Sequence, residues 1–538
     1  MKYDQGKILS RRAAMVASGD WLDVTLLDHL ARAPLDKTAI VAIRTDGLTA
    51  PAETRLTYRE LDRRAGLVAA NLRARGVGPG DTVSFQLPNW WEFSVLHLAC
   101  LKLGAVSNPL MVIFRERELS FMLALAETKV LVVPERFRGF DHGAMAVALK
   151  AKLPDLAHVF VAGGSVEGAE DFTALLSPAP GIGQTALAPD DVIQLLYTSG
   201  TTGEPKGVLH TSNTMLSNLV PFADRLALGA DDVIHMPSPM AHQLGFMYGL
   251  VLPVMLGATA VLQDVFSAPE MARQIAQESA TFTMGATPFL NDLTEYVAGG
   301  GGATPSLRVF VSAGAPIPRA LVAKARPTLG ATIISAWGMS ENGAVTTTNL
   351  DDPEEKATTT DGCALKGMEV RVIDPDGQPV PTGTEGHLQV RGCSNFVGYL
   401  KRPDLDSTDA DGWFDTGDLA RMDDQGYIRI AGRSKDIIIR GGENIPVVEV
   451  ENLLFRHPAI AEVVVVGYPD ERLGERACAF VRPREGEQFS FADMTTYLAD
   501  QKMARQYIPE RLEVVAELPR TPSGKVQKFR LREVLRQS

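Results

Sequence analysis

Tyr197-Thr-Ser-Gly-Thr-Thr-Gly-Glu-Pro-Lys-Gly-Val208 gathers three glycines, a serine and three threonines, and one lysine around a single proline. A loop that wraps a polyphosphate needs that mixture. Glycines let backbone N–H groups approach an anion, hydroxyls donate further hydrogen bonds, and Lys206 supplies charge. It is not a Walker loop, which requires Gly-Lys-Ser/Thr, because Lys206 follows Pro205 and precedes Gly207. A plain polar turn is the competing reading. Against it stands the apolar run Val192 to Leu196 just upstream, which has the length of a buried strand. A glycine loop leaving a strand is where α/β folds place phosphates.

Outward from that loop, strands at Thr82 to Gln86, Lys129 to Val133, His158 to Ala162, Thr259 to Leu262 and Leu307 to Ser312 alternate with helical patterns. The fold class this predicts is α/β, a large N-terminal domain of several lobes with parallel-rich sheets. Thr57-Tyr-Arg-Glu60 is a capping box that opens a helix carrying Leu61, Ala65, Val68, Ala69 and Leu72 on one face. The Pro/Gly-rich stretch Ser177 to Asp190 reads as a linker. Its GxGxxA match from Gly181 to Ala186 follows Pro-Ala-Pro rather than a strand and is discounted as a dinucleotide site. From about Gly362 to Ile430, short β segments separated by DPDG, PTG and DDQG turns predict a small β-barrel or sheet. An α+β tail follows, with helices near Val447 to Phe455 and Phe491 to Lys502 and strands at Glu462 to Gly467 and Ala477 to Val481. The division expected is residues 1–432 (lobes about 1–185, 186–350 and 351–432) followed by a separate small domain at 437–538.

The bulk numbers exclude some partners. With 53 basic and 65 acidic residues the 538-residue chain carries a formal charge of −12, which argues against general nucleic-acid or anionic-membrane binding. Cys100, Cys363, Cys393 and Cys478 are scattered without a CxxC pair, which fits a reducing cytoplasm rather than a disulfide framework or zinc site. The charge-free run Val233 to Gln263 is interrupted by Pro237, Pro239, Pro253 and His242, so it reads as a buried helix–strand pair, not a membrane span.

Five further stretches follow the loop in order: Ser335-Ala-Trp-Gly-Met-Ser-Glu341, Trp413-Phe-Asp-Thr-Gly-Asp418, Gly432-Arg-Ser-Lys-Asp436, Arg440-Gly-Gly-Glu-Asn-Ile445 and Pro519-Arg-Thr-Pro-Ser-Gly-Lys525. Singly, each has a bland reading as a turn or a solvated charge. Together, over nearly the whole chain, they resemble the adenylate-forming superfamily of acyl- and aryl-CoA synthetases, peptide-synthetase adenylation domains and beetle luciferases. That resemblance implies ATP, Mg²⁺ and CoA as cofactors and a small-molecule carboxylic acid as substrate. It implies that Thr198, Ser199, Gly200, Thr201, Thr202, Gly203, Ala315, Pro316, Trp337, Gly338, Ser340, Asp418 and Arg433 hold ATP or AMP. Trp337 would stack on adenine, and Glu341 would hold the Mg²⁺, which takes most of its shell from phosphates and water. A carboxylate accepts two hydrogen bonds at once, so Asp418 can grip both hydroxyls of a ribose. Lys435 falls at the family's hinge, residues 433–436, which implies that the small domain at 437–538 is mobile. Arg440, Gly441, Gly442, Glu443 and Asn444 resemble the loop lining the CoA tunnel, where glycines allow a narrow thiol arm to pass. Lys525 is the expected catalytic lysine, beside Lys206, Glu341 and His242.

His242, in Pro239-Met-Ala-His-Gln-Leu-Gly-Phe-Met247, reads either as a packed core histidine or as the wall between acyl group and adenylate. The acyl pocket expected from the resemblance is His242, Phe246, Met247, Gly314, Gly338 and Met339. Leu87-Pro-Asn-Trp-Trp91, Asn108 to Leu119 and Phe137 to His142 resemble cyclohexanecarboxylate–CoA ligases. The expectation is therefore an ATP-dependent acid–CoA ligase acting through acyl-AMP on an alicyclic acid. Alternatives are a medium-chain or aryl acid, or a carrier-protein thiol as acceptor. His387 in place of a usual Glu, and Glu204 within the loop, depart from the family pattern.

Overall fold

The computed structural model describes residues 6–46, 52–181, 187–198, 205–314, 317–433, 438–440, 443–470, 473–501, 503, 505–521 and 524–537. Two large sheets dominate. In the nine-stranded sheet, Thr38–Arg44, Thr259–Gln263, Val233–Met236, Phe282–Gly285, Val309–Ser312 and Thr332–Met339 run parallel side by side. In the eight-stranded sheet the parallel set is Val192–Thr198, Val106–Pro109, Thr82–Phe85, Thr128–Pro134 and His158–Ala162, continuing into the short Glu170–Asp171 strand. Sheet membership interleaves along the chain, since Thr38–Arg44 lies in the first sheet while Val192–Thr198 and Lys206–Thr211 lie in the second.

The two sheets share a helical layer. In the helix Trp91–Leu103 the residues Glu92–Leu101 and Leu103 are all buried, as its all-round apolar sequence requires of a helix sandwiched on both sides. The capping box at Thr57 forms as its sequence demands, with Glu60 N–H on the Thr57 hydroxyl and the helix running Tyr58–Ala74. The charge-free run folds as a strand (Val233–Met236), a helical stretch from Gln243 to Leu256 with a π-turn at Met247–Val251, and a strand (Thr259–Gln263). No helix among the described residues is long and apolar enough to cross a membrane.

A four-stranded antiparallel sheet (Met368–Ile373, Gly386–Gly392, Phe414–Met422, Ile428–Arg433) forms the β unit read from the turn spacing. The C-terminal part builds its own sheet from Ile438–Arg440, Glu443–Ile445, Gly474–Pro483, Ile460–Asp470 and Arg511–Val514, with separate apolar cores around Val450 and Phe480. His387 pairs with Ile373 and Leu419 inside the antiparallel sheet, as an ordinary strand residue. The strand Thr332–Met339 carries Trp337 and hairpins onto Gly343–Thr347. The Leu307 strand begins instead at Val309, and the helix expected to reach Lys502 stops at Asp500.

Candidate active site

The glycine loop joins two antiparallel strands, Val192–Thr198 and Lys206–Thr211, with Thr198 opposite Lys206 and Tyr197 opposite Gly207. Its tip, including Ser199, Gly200, Thr201, Thr202 and Gly203, lies outside the described residues, as do Ala315 and Pro316. The loop's base is held firmly. The Tyr197 hydroxyl donates to the Met122 carbonyl at 2.8 Å. A β-carbon at Gly207 would stand 2.6 Å from Leu195 Cδ1 and 3.2 Å from Leu400 Cβ, so only glycine fits there.

Glu341 sits at the tip of the Thr332–Met339/Gly343–Thr347 hairpin, which buried hydrogen bonds hold from several sides. Phe396 N–H donates to the Glu341 carbonyl at 2.8 Å, and the Tyr399 hydroxyl donates to Glu341 Oε1 at 2.7 Å. His210 Nε2 contacts the Ser340 carbonyl at 2.7 Å, which can only accept, so the proton sits on Nε2. Burial pushes the His210 imidazole down to about 4, leaving it neutral at working pH. The Tyr248 hydroxyl accepts from Ala344 N–H and donates to Asn218 Oδ1, both at 2.8 Å. Asn218 Nδ2 in turn donates to the Asn342 and Ala344 carbonyls at 3.1 and 2.7 Å. At Gly338 a β-carbon would lie 1.9 Å from the Gly343 carbonyl oxygen, so the hairpin closes only on glycine.

Trp337, on the same hairpin, reaches a different sheet. Its indole Nε1–H donates to Asp418 Oδ2 at 2.9 Å, and both side chains are buried. Asp418 stands opposite Arg433 on adjacent strands, which brings the two expected ribose residues together at the level of the backbone. Ser335, by contrast, points away into the fold, its hydroxyl donating to the Ala357 carbonyl at 2.9 Å.

Lys525 arrives from the C-terminal part. Its turn is closed by Thr521 N–H on the Lys525 carbonyl (2.7 Å) and by Arg520, which donates to the Gly524 carbonyl (2.7 Å) and pairs with Glu462. Gly524 rests against the helix Thr287–Ala298 and the residue before it, where an added β-carbon would come 3.2 Å from Ala286 Cβ and 3.7 Å from Phe289. This docking brings the Lys525 ammonium close enough to act on His242. Burial first, and then the Lys525 charge, push the His242 imidazole down to about 4. His242 caps the Gln243–Phe246 helix, its Nδ1 accepting from Leu244 N–H at 3.3 Å.

Of the other residues expected around an acyl group, Phe246 and Met247 are fully buried, and the Phe246 ring meets His97 edge-on with centroids 4.8 Å apart. Gly314 adopts a left-handed conformation (φ 81°) with open space where a side chain would stand. Arg440 pairs with Glu510, and its strand Ile438–Arg440 forms a hairpin with Glu443–Ile445 in which Asn444 faces Ile439. Gly441, Gly442 and Lys435 lie outside the described residues.

Tyr399, His210, Tyr248 and Asn218 were missed by sequence reading. Their partners lie far along the chain, and no local spacing marks them. For a cation, one carboxylate with one oxygen engaged is a donor set that fits Mg²⁺, whose remaining ligands come from phosphate and water. Among the described residues no group of three or more His, Cys, Asp or Glu could cage a metal.

Residues 26–400 match the AMP-binding enzyme family, and residues 449–525 match the AMP-binding enzyme C-terminal domain. The medium-chain fatty-acid–CoA ligase of Escherichia coli K12 is 38% identical, over 97% of this chain and 92% of its own. A salicylyl-CoA synthase/salicylate adenylyltransferase from a Streptomyces species is 36% identical over 90% of each chain. Among solved structures, the anthranilate CoA ligase AuaEII in complex with anthranoyl-AMP superposes with a TM-score of 0.87 at 26% identity, over 96% of this chain and 98% of that one. The chain belongs to the AMP-binding enzyme family and is an AMP-forming acid–thiol ligase.

Proposed function

We propose that the protein is an ATP-dependent carboxylic acid–CoA ligase acting on a compact apolar acid, cyclohexanecarboxylate or an alicyclic acid of that size. The observation that carries the mechanism is the seating of the Lys525 turn on the large domain, with Gly524 against Ala286 and Phe289. A lysine so placed serves the first half-reaction. The acid's carboxylate oxygen bonds to the α-phosphorus of ATP, the bond to the bridging oxygen breaks, and pyrophosphate leaves with that electron pair. Lys206 and Lys525 stabilise the charge on the phosphoryl oxygens. Asp418 and Arg433 hold the ribose, and Trp337 packs on the adenine. Glu341 would hold Mg²⁺, which when bound neutralises phosphate charge.

In the second half-reaction the CoA thiolate attacks the acyl carbon and AMP departs, the mixed anhydride having made the carbonyl attackable. We assign residues 1–432 to the large domain, 433–436 to a hinge centred on Lys435, and 437–538 to a mobile domain. Its rotation withdraws Lys525 and presents the hairpin from Arg440 to Asn444 to the pantetheine arm. His242, neutral at working pH, forms the wall between adenylate and acyl group, and Met339 and Gly314 bound an apolar space suited to a ring. We place the enzyme in the cytoplasm, where its four free cysteines stay reduced.

A second reading, a medium-chain acid, is favoured by the 38% identity to the E. coli medium-chain ligase. Acids differing by a methylene are separated by only about 1–3 kcal/mol in such pockets, so neighbours will be accepted. AMP release with and without CoA, across cyclohexanecarboxylate, benzoate, salicylate, hexanoate and octanoate, tests both. A CoA-dependent alicyclic optimum supports the proposal, and an octanoate optimum replaces the substrate while keeping the mechanism. Pyrophosphate release without CoA-dependent turnover on any acid overturns CoA as acceptor in favour of a carrier-protein thiol.

A further inference from the structure

Tyr399 stands between the two opposite charges of the proposed phosphate site. Its strand, Gly398–Tyr399, is the edge of the eight-stranded sheet, hydrogen-bonded to the strand that carries Lys206, with Tyr399 opposite Val208. Leu400 N–H on the Gly207 carbonyl (2.8 Å) and Val397 N–H on the Leu209 carbonyl (2.9 Å) fix it on either side. The phenol is buried, and its hydroxyl donates to Glu341 Oε1 at 2.7 Å. Its ring face meets the other charge, with Lys206 Nζ lying 4.9 Å from the ring centroid. Phe396 braces the ring edge-on at 4.8 Å. Among the described residues Lys206 and Glu341 make no ion pair with each other, although both approach the same side chain.

A buried tyrosine hydroxyl needs an acceptor, but a backbone carbonyl would satisfy it. Here the acceptor is a carboxylate, and the cation that would neutralise that carboxylate is held on the aromatic face instead. A direct Lys206–Glu341 pair would satisfy both groups internally and set each against the phosphates it should serve.

We propose that Tyr399 is a positioning residue for adenylation: its hydroxyl orients Glu341, its ring parks Lys206, and together they prevent the two charges from collapsing into an ion pair. The inference rests on the reading of Lys206 and Glu341 as phosphate-site residues.

The test uses the full-length enzyme with Mn²⁺ and the non-hydrolysable α,β-methylene-ATP, following free Mn²⁺ by electron paramagnetic resonance, so that it does not depend on turnover. Tyr399→Phe keeps the ring and loses the donor, and should weaken Mn²⁺ binding about tenfold, the usual effect of removing a hydrogen-bond partner from a metal ligand. Tyr399→Leu loses both and should weaken it further. Adenylation by Tyr399→Phe should fall at least tenfold more than thioester formation from synthetic acyl-AMP. Mn²⁺ affinity and adenylation within twofold of wild type overturn the proposal, as does an equal loss of both half-reactions, which marks a merely structural tyrosine. Glu341→Gln separates the two failures. If it too leaves Mn²⁺ binding and adenylation intact, the site reading fails; if it abolishes them while Tyr399→Phe does not, only the role of Tyr399 falls.

Discussion

Trp337→Phe tests whether the indole orients the ribose carboxylate. The wild-type ring can lie on adenine while its Nε1–H donates to Asp418 Oδ2 at 2.9 Å, across two sheets. Phenylalanine retains an aromatic face and removes only the donor and the benzo ring. A hydrogen bond to an ionised group contributes about 1.5–3 kcal/mol, and each 1.4 kcal/mol is tenfold, so kcat/KM for ATP should fall about 10- to 100-fold. The assay is pyrophosphate exchange with ATP and with 2′,3′-dideoxy-ATP, alongside thermal melts to register the packing loss. Wild type should discriminate strongly against the dideoxy nucleotide, and the variant should discriminate less, because a misaligned Asp418 gains less from the hydroxyls. An ATP kcat/KM within twofold of wild type refutes the reasoning. So does a large loss with discrimination unchanged, which would mean that the indole matters only for stacking.

Lys525→Ala should lower adenylation at least about 100-fold, the scale for removing one charge-stabilising donor, while sparing thioester formation from synthetic acyl-AMP. Equal loss of both half-reactions would remove Lys525 from its assigned role. Gly524→Ala forces a non-glycine residue to φ 85° and sets its β-carbon 3.2 Å from Ala286, and left-handed backbone costs about 1–2 kcal/mol, so adenylation should fall about 5- to 30-fold with thioester formation retained; wild-type rates would show that the turn does not seat there during catalysis. Burial holds His97 at about 3 and His210 and His235 at about 4, below the ordinary 6.5. Between pH 6.5 and 4 the unfolded chain therefore binds more protons, so this stability is complete above 6.5 and lost as pH falls, with the raised carboxyls of Glu92 and Asp361 acting in the opposite sense. The urea midpoint should drop from pH 7.5 to 5 and drop less in His235→Gln; an unchanged midpoint would contradict the assignment.

What could be read from the sequence were the features that local chemistry fixes. A capping box, a strand feeding a glycine loop, and turn-separated β segments each carry their cause within a dozen residues, and the structure contains the capping box, the strand Val192–Thr198 and the β segments. Position within a motif also brought Asp418 and Arg433 to facing places on adjacent strands. What could not be read depends on pairing between distant strands. Tyr399 reaches Glu341 only because Gly398–Tyr399 closes the edge of a sheet whose neighbouring strand begins at Lys206. Trp337 meets Asp418 because the strand Thr332–Met339 carries the indole across to a strand of a different sheet. His97, His210 and His235 are buried hydrogen-bonding residues, and their depressed basicity follows from burial rather than from catalysis.

The two halves of the site are held with very different strength, and the proposed chemistry explains why. Glu341, Ser340 and Asp418 are fixed by buried hydrogen bonds from Tyr399, His210, Asn218, Tyr248 and Trp337, so that the groups proposed to meet the phosphates, their cation and the ribose need no reorganisation when the nucleotide enters. Lys525, by contrast, is presented by a glycine turn resting on Ala286 and Phe289, while the partly exposed Arg484–Glu295 pair at 3.4 Å adds a second contact between the parts. An exposed ion pair contributes about 0–1 kcal/mol, and such a contact is cheap to break. A lysine needed for one half-reaction and in the way of the next cannot be held as tightly as the residues that serve both. Weak docking of the C-terminal part is therefore what a two-step ligase requires: firm enough to populate the adenylating arrangement, loose enough that formation of acyl-AMP and loss of pyrophosphate can tip the balance toward the thiol-accepting one.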